Sequence, residues 1–294
     1  MANIHPTAHV DPDCQLADDV EIGPLCVLTG PCRLDAGVRL LGSVTMRGPV
    51  HLHAGVTVYP YAALGFPPQD LKVTPEDPTA GVVVHQDTVI REQAVVHAAS
   101  NTETPTTVGP RNFLMATSHV GHDCITGADC ILVTYAGLSG HVTLGDNVVV
   151  SGQAGVHQHC KVGRLAFLSG GVQVSTDIPP FCTVNERNRL GSVNLVGMRR
   201  GGIPREHITR TRQFFREALA PSIPTKDMLD ALDETLSQED CPPLAEMREF
   251  IANATRGVCP GAGRPPRMFA AFLRHARRTG ADLDQLAKEA EREN

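Results

Sequence analysis

The feature that most constrains the fold of this chain is an aliphatic residue at every sixth position. From Ile4 to Leu64, steps of six meet only apolar residues. A second small or aliphatic residue follows each of them by four positions, as Ala8 follows Ile4. A fixed short period with two inward positions per unit is typical of a solenoid and differs from the periods of amphipathic helices and alternating strands. The chain is therefore predicted to be a stack of short repeated units.

Two polar segments interrupt this repeat. The first is rich in proline and charge and covers about residues 66–80. The second covers residues 100–107, after which the period continues to Val174 with Thr126 as its only polar member. A break between two stretches of the same period indicates a loop that leaves the stack and returns to it. We therefore expect one repetitive domain over residues 1–190.

The pattern becomes helical after Pro179 and Pro180. A helix start is predicted near Ile203, where a proline falls in the first turn, and apolar residues continue at helical spacing to Leu219. Further helices are predicted at residues 226–236, 243–256 with Gly257 as the stop, 267–278 and 283–293. The sequence thus predicts a C-terminal α-helical domain over residues 191–257 and a helical extension over residues 258–294.

Composition and charge exclude several classes of function. The formal net charge is −6, whereas nucleic-acid binding requires a concentrated basic face. No apolar stretch is long enough to span a bilayer, and no signal peptide follows Met1, so a cytoplasmic protein is expected. The cysteines lack paired metal-ligand spacing and are predicted to be buried thiols. Six of them fall at the second inward position of the repeat: Cys14, Cys26, Cys32, Cys124, Cys130 and Cys160.

The six-residue period resembles that of the hexapeptide acyltransferases, whose units form short strands, three to a triangular coil. The resemblance implies a mainly β fold, a left-handed parallel β-helix of hexapeptide repeats followed by a C-terminal α-helical domain. It also implies that residues eighteen apart stack on one face. On this rule His122, Gly140 and Gln158 form one column, which His141 and His157 flank.

This column has the residue types that acyl transfer needs. An imidazole that titrates near neutrality suits proton abstraction from an alcohol or amine, and Asp123 beside His122 can orient the ring and stabilise its charged form. Gly140 can bring its N–H close to a developing oxyanion, because no side chain intervenes. An isolated histidine in a turn is more often a solvated polar residue. Three other histidines are interpreted as structural: His51, His53 and His85.

Several motifs, in order, resemble the UDP-N-acetylglucosamine O-acyltransferases. They are HVGHDC at 119–124, LSGHV at 138–142, VHQ at 156–158, PQDLK at 68–72 and VNLVGMRRG at 193–201. The resemblance covers residues 1 to about 257. It implies the first step of lipid A biosynthesis, in which a 3-hydroxyacyl group moves from acyl carrier protein to the 3-hydroxyl of UDP-N-acetylglucosamine. It also implies a homotrimer with active sites between subunits, and neither a metal nor another cofactor.

The resemblance assigns roles to individual residues. It implies His122 as the general base, Asp123 as the carboxylate that orients it, and the Gly140 N–H as the oxyanion donor. Gly170 matches the position in the acyl-chain groove where a side chain would shorten the groove. Substrate-binding positions are implied at Asp70, Lys72, His119, His141, His157, Gln158, Asn194 and Arg200. A landing surface for the acidic carrier protein is expected from Arg199, Arg200, Arg205, Arg210, Arg212 and Arg216.

Three alternatives remain open at the level of the residues. The same machinery would serve a 3-amino group of a related UDP-sugar instead of a hydroxyl. A zinc carbonic anhydrase of the β-helix type would use histidines from adjacent subunits as ligands, and the candidates are His119, His122 and His141. A catalytically silent scaffold would lose no activity on replacement of His122. Two residues depart from the family pattern, because Val196 and Ala98 stand where an acidic residue and an arginine are common.

Overall fold

The structure, a computed structural model, describes residues 1–261. It is a left-handed parallel β-helix with helices at its C-terminal end, so the predicted mainly β fold is confirmed. The strands, in chain order, are β1 (Asn3–Ile4), β2 (His9–Val10), β3 (Gln15–Leu16), β4 (Glu21–Ile22), β5 (Val27–Thr29), β6 (Cys32–Leu34), β7 (Arg39–Leu40), β8 (Thr45–Arg47), β9 (Val50–Leu52), β10 (Thr57–Val58), β11 (Ala63–Phe66), β12 (Val82–Val84), β13 (Val89–Ile90), β14 (Val95–His97), β15 (Thr106–Val108), β16 (Phe113–Leu114), β17 (His119–Val120), β18 (Ile125–Thr126), β19 (Ile131–Leu132), β20 (Gly137–Leu138), β21 (Thr143–Leu144), β22 (Val149–Val150), β23 (Gly155–Val156), β24 (Lys161–Val162), β25 (Phe167–Leu168), β26 (Gln173–Val174), β27 (Cys182–Glu186) and β28 (Arg189–Val193).

Three sheets form the faces of the β-helix, and each coil contributes one strand to each sheet. Sheet A runs from β1 through every third strand to β25 and ends with the antiparallel pair β27 and β28. Sheet B runs from β2 to β26, and sheet C from β3 to β24, again through every third strand. In uninterrupted coils the partners are eighteen residues apart, as in the pairing of His119 with Gly137. The predicted stacking rule is therefore confirmed.

The core consists of the predicted inward positions. From Val20 to Leu64 both inward positions of every unit are buried, whereas the first coil is partly open, with Ile4 42% exposed and Val10 and Leu16 half-buried. Five of the six predicted core cysteines are buried, Cys14 is half-buried, and all nine cysteines are free thiols. Burial raises the pKa of Cys124 and of Cys130 to about 12. These thiols therefore pack as uncharged small hydrophobes at neutral pH.

Thr126, the one polar residue of the repeat, is buried without an energetic penalty because its hydroxyl is paired. Its Oγ1 accepts hydrogen bonds from Gly109 N at 2.9 Å and from Asn112 Nδ2 at 2.5 Å. Asn112 Oδ1 in turn accepts from Cys130 N at 2.7 Å. A hydrogen-bonded polar network of this kind is tolerated in an apolar interior.

Non-glycine residues with positive φ turn the corners of the coils. At the corner between sheets B and C they are Asp123, His141 and His159, with φ of 59°, 60° and 63°. This conformation is sterically unfavourable for an L-residue, and the hydrogen bonds of the stacked coils hold it in place. Because the three residues are eighteen apart, their side chains stack above one another on the outside of the corner.

Within residues 1–261, four α-helices follow the β-helix. They are α1 (Leu195–Arg200), α2 (Arg205–Phe214), which continues as a π-helical turn (Phe215–Leu219), α3 (Thr225–Gln238) and α4 (Pro242–Ala252). The helices predicted from Ile203 and at residues 226–236 are confirmed, whereas α1 was not predicted. Among residues 1–261, no helix is both long and apolar enough to cross a bilayer.

The observed boundaries correct several predicted ones. The first excursion covers residues 67–81, because Phe66 still belongs to β11. The predicted boundary at residue 190 falls inside β28, which runs to Val193. Residues 258–261 do not belong to a separate extension, because Val258 and Gly261 form β-bridges to Asp177 and Leu190. The helices predicted at 267–278 and 283–293 lie outside the described residues.

Asp177, which is fully buried, fastens the end of the helical region to the β-helix. Its Oδ2 accepts hydrogen bonds from Thr255 N at 2.7 Å and Arg256 N at 3.0 Å, and its Oδ1 accepts from Lys161 N at 2.8 Å. These bonds take the backbone out of helical geometry, so α4 ends at Ala252. The prediction that this helix continues to residue 256 was therefore wrong.

Candidate active site

The predicted catalytic residues lie on the corner between sheets B and C. His119 is on β17, and the turn that leads to β18 carries His122 and Asp123. His122 is followed eighteen residues later by Gly140 and then by Gln158, at the equivalent turn position of the next two coils. The structure thus brings the predicted column together.

His122 and Asp123 form a hydrogen-bonded pair. The distance from His122 Nδ1 to Asp123 Oδ2 is 2.6 Å, and the two side chains are 18% and 7% exposed. Because Nδ1 faces the carboxylate, Nε2 is the nitrogen left for a substrate, and it has no hydrogen-bond partner among residues 1–261. The pair therefore has the arrangement of a histidine base and its orienting carboxylate.

Asp123 is held by a second set of donors from the segment between β14 and β15. Ser100 donates from N to Oδ1 at 3.0 Å and from Oγ to Oδ2 at 2.6 Å, and Asn101 Nδ2 donates to Oδ1 at 2.7 Å. Burial opposes ionisation of Asp123, but hydrogen bonds from His122 and Ser100 outweigh it and lower the pKa of the carboxyl. Asp123 is therefore a fixed anion at neutral pH.

Gly140 lies directly against the ring of His122. A Cβ atom at Gly140 would be 2.4 Å from His122 Nε2 and 2.5 Å from Cε1, which is closer than van der Waals contact permits. Among residues 1–261, no acceptor pairs with the Gly140 N–H. Only glycine therefore leaves room for the imidazole at this position, and its amide is available to a ligand.

His141 continues the cluster on the exposed side of the corner. Its Nε2 is 3.5 Å from Asp123 Oδ2, its ring meets that of His122 edge-on, and it stacks on His159 with centroids 4.5 Å apart. Burial lowers the pKa of His141, and the neighbouring His159 and His122 contribute to the lowering against the opposing effect of Asp123. His141 thus presents a neutral imidazole beside the pair at physiological pH.

A buried histidine pair, His97 with His119, was not predicted as a unit. His97 Nδ1 and His119 Nε2 are 2.9 Å apart, and His97 is 6% exposed. The second excursion makes this coil 24 residues long, so His119 pairs with Val95, and His97 lies two residues beyond that stacking position. Burial, together with His119 and His122, lowers the pKa of His97 to about 4.

His97 is expected to make folding stability depend on pH. Its pKa in the folded chain is about 4 against an ordinary value of 6.5, so between these values the unfolded chain binds a proton that the folded chain does not. The free energy of unfolding should therefore fall as the pH drops through this window, by roughly 2–3 kcal/mol from His97. Urea unfolding near pH 7 and near pH 4, for wild type and His97→Gln, measures this change in the free energy of unfolding. An equal decrease on acidification in both proteins would contradict the prediction.

A cleft of about 320 Å³ opens along sheet B beside the cluster. Its floor includes Gly137, where a Cβ atom would meet nothing within 4 Å, and Gly155, which the Gln173 side chain covers. His119 and His157 border the cleft, and Arg187 lies at its far side. The cleft therefore joins two of the predicted substrate-binding histidines, while Gln158 is exposed just beyond it.

The remaining predicted site residues lie apart from the cluster in the single chain. Asp70 and Lys72 are exposed in the first excursion, where Lys72 N donates to Asp70 Oδ1 at 3.0 Å. Asn194 caps α1 by accepting from Gly197 N at 2.9 Å, and Arg200 is exposed at the end of that helix. Gly170 is exposed at the corner between sheets A and B.

The three imidazoles expected for a zinc hydratase do not converge on one point. His119 bonds to His97, and the group whose ligand atoms lie within 4.8 Å of one another is His122, Asp123 and His141. The three histidines therefore do not form one ligand set within residues 1–261 of a single chain.

Comparison with known proteins identifies the family. Residues 177–259 match the family model described as UDP N-acetylglucosamine O-acyltransferase, domain 2. A protein from Stutzerimonas stutzeri named acyl-[acyl-carrier-protein]–UDP-N-acetylglucosamine O-acyltransferase is 32% identical over 260 residues, covering 88% of this chain and 99% of that relative. The chain belongs to this acyltransferase family. A protein of the same name from Campylobacter concisus is 32% identical, covering 90% of this chain and 100% of its own.

Solved structures of the acyltransferase family agree in architecture. The UDP-N-acetylglucosamine acyltransferase of Francisella novicida superposes with a TM-score of 0.83 at 28% identity, covering 90% of this chain and 95% of that one. The Arabidopsis enzyme superposes with a TM-score of 0.75 at 27% identity, covering 87% of this chain and 99% of that one. The matched family domain begins at Asp177 and ends at Cys259, two residues joined by a hydrogen bond from Cys259 N to Asp177 O at 2.8 Å.

Proposed function

We propose that this protein transfers a 3-hydroxyacyl group from acyl carrier protein to the 3-hydroxyl of UDP-N-acetylglucosamine, the step that opens lipid A biosynthesis. The observation that carries the proposal is the His122–Asp123 pair on a chain of this acyltransferase family. The two side chains are 2.6 Å apart, from His122 Nδ1 to Asp123 Oδ2, and the His122 ring lies against Gly140. His122 Nε2 removes the proton of the sugar hydroxyl as its oxygen attacks the thioester carbonyl. Asp123 keeps Nε2 unprotonated beforehand and stabilises the imidazolium afterwards.

The tetrahedral intermediate carries its negative charge on the former carbonyl oxygen. The Gly140 N–H is the donor assigned to that oxygen, since it lies next to His122 Nε2 and has no acceptor among residues 1–261. A preorganised donor in a partly enclosed site stabilises such an oxyanion by several kcal/mol relative to water. Collapse of the intermediate breaks the carbon–sulfur bond, and the carrier thiolate takes the proton from His122. The carrier leaves as the thiol.

A homotrimer with shared sites is part of the proposal. Asn194 and Arg200, which the family resemblance assigns to the nucleotide, make no contact with the His122 cluster among residues 1–261. A neighbouring subunit would supply them. A half-buried apolar stripe on the outer face of sheet A supports association, because apolar surface of this kind is often covered by a partner. The stripe consists of Phe113, Ile131, Val149 and Phe167.

The acidic carrier protein is proposed to dock on the helical region. A cleft of about 640 Å³ there is lined by Arg199, Arg205 and Arg212 together with apolar residues. Arg210, which belonged to the expected landing surface, forms an ion pair with Glu239 and is removed from that surface. Cations around an apolar groove complement a protein with an acidic face.

The decisive experiment incubates the purified protein with 3-hydroxyacyl carrier proteins of several chain lengths and UDP-N-acetylglucosamine, with detection of the acylated sugar by mass spectrometry. Formation of the 3-O-acyl product is the expected result. The corresponding 3-amino sugar nucleotide, supplied in parallel, tests the alternative acceptor. Faster acylation of the amine would change the acceptor, and no product from any donor would reject the proposed function.

Gly170 is expected to set the longest acyl chain accepted. An added Cβ would contact only Gly152 O at 3.5 Å, so a larger side chain fits without disturbing the coil and extends outward. Gly170→Met should lower turnover of the longest preferred donor roughly tenfold or more relative to shorter donors, because it occupies space for the acyl tail. Gly170→Ala is the matched control and should give a smaller shift. An unchanged donor profile in both variants would show that the groove lies elsewhere.

A further inference from the structure

A second cluster of histidines with a carboxylate lies on a different corner, between sheets C and A. Asp35 follows β6, His53 follows β9 eighteen residues later, and His85 follows β12 in the next coil. His51 is on β9 itself, two residues before His53. Residues two apart on a strand point to the same side, so both imidazoles face outward while Leu52 between them enters the core. Four such side chains on one corner bring together groups from three successive coils.

The two histidines converge on one oxygen of Asp35. His51 Nε2 is 2.9 Å and His53 Nδ1 is 3.2 Å from Asp35 Oδ2, and the three ligand atoms all lie within 4.8 Å of one another. Two ligands at about 2.0 Å from a tetrahedral zinc ion are separated by about 3.3 Å. The spacing is therefore already close to that of a bound ion, and only small rotations of the side chains are needed.

The surroundings prepare each group as a ligand. Arg33 Nε donates to Asp35 Oδ1 at 3.1 Å, which leaves Oδ2 directed at the histidines. His85 stacks on His53, with centroids 4.9 Å apart and planes 3° from parallel, and limits rotation of that ring. Burial lowers the pKa of His53, with further lowering from His51 and His85 and an opposing effect from Asp35.

We propose that Asp35, His51 and His53 bind a divalent transition-metal ion of the zinc class. Each imidazole moves its proton to the ring nitrogen that faces away from the ion, and a water molecule completes the tetrahedral set, as at zinc sites with three protein ligands. The ion joins the coil that ends in Asp35 to the coil that carries His51 and His53. It lies on another corner than the His122 cluster and has no part in acyl transfer.

The test measures binding of zinc ions to the metal-free full-length chain by competition with a chromophoric chelator. Wild type is expected to bind zinc at this site, and Asp35→Asn and His53→Asn should each weaken that binding roughly tenfold or more. Zinc should also raise the thermal unfolding midpoint of wild type and leave that of Asp35→Asn unchanged. Circular dichroism of the metal-free variants checks that they fold, and His51→Asn provides an independent ligand deletion.

Two controls separate this site from other zinc binding. His9→Asn removes an exposed histidine that is 3.2 Å from Asp11 but has no third ligand, and it should leave zinc affinity unchanged. His141→Asn disrupts the other group whose ligand atoms lie close together, and it should also leave the Asp35 site intact. Absence of zinc binding by wild type, equal affinity in Asp35→Asn, or loss of binding only in His141→Asn would each overturn the proposal.

Discussion

Replacement of His122 by alanine is expected to lower kcat for acyl transfer about a thousandfold, with a much smaller change in KM for the sugar nucleotide. The reason is that Nε2 is the only proton acceptor proposed for the attacking hydroxyl, and a positioned general base contributes roughly 10²–10⁴-fold. The measurement is steady-state turnover with one carrier-bound donor and UDP-N-acetylglucosamine, detected by mass spectrometry.

A remote histidine paired with an aspartate provides the matched control. His9 is exposed on the second strand, and its Nε2 is 3.2 Å from Asp11 Oδ1, so His9→Ala removes a similar pair far along the β-helix from the cluster. It should retain wild-type turnover. Full turnover by His122→Ala would reject His122 as the base, whereas no turnover in either wild type or His122→Ala would favour the silent-scaffold alternative.

Gly140→Ala is expected to lower turnover about a hundredfold or more, although the substitution adds a single methyl group. The added Cβ would fall 2.4 Å from His122 Nε2, so the imidazole must move away from the position that Asp123 fixes. Misplacement of a base by about 1 Å costs on the order of a hundredfold in rate. Alanine retains the backbone N–H, so the loss would report the displaced ring rather than a missing donor.

Gly152→Ala adds the same methyl at the equivalent turn position of another corner. Both Gly140 and Gly152 immediately precede a residue with positive φ, but the nearest atom to the Cβ at Gly152 is Thr134 O at 3.3 Å. A shift of a few tenths of an ångström accommodates it. We expect near wild-type turnover and thermal stability for Gly152→Ala, and retained stability for Gly140→Ala. A Gly140→Ala protein as active as wild type would mean that the ring is placed differently.

The β-helix could be predicted from the sequence because every coil requires an apolar side chain at the same inward positions. Leu64 and its equivalents meet this requirement, and Thr126 is accommodated because its hydroxyl oxygen accepts hydrogen bonds in the interior. The helical region gave less accurate boundaries. The end of α4 depends on hydrogen bonds from Thr255 and Arg256 to Asp177, 78 and 79 residues away, which no local pattern contains.

The same reasoning explains which site residues were found. His122 and Gly140 are eighteen apart, so the stacking rule aligned them, whereas His97 lies two residues beyond Val95, the residue that pairs with His119, and therefore shares no column with it. Ser100 and Asn101, which hold Asp123, come from a segment without any period. The spacing rule also applies to Asp35 and His53, which are eighteen apart. Taken alone, His53 is interpreted as structural, because only the eighteen-residue spacing aligns it with the Asp35 carboxylate.

The bonds to Asp177 have a consequence for how this architecture can change over evolution. After Asp177 the chain forms β27 and β28, continues through the helices and returns to Asp177, so both ends of this segment are fixed at one place. Lengthening a closed segment costs only about 0.6 kcal/mol for each doubling. Helices between the two anchor points can therefore be lengthened, shortened or exchanged while the coils beneath keep their alignment. The surface that binds a partner can thus diverge independently of the catalytic surface.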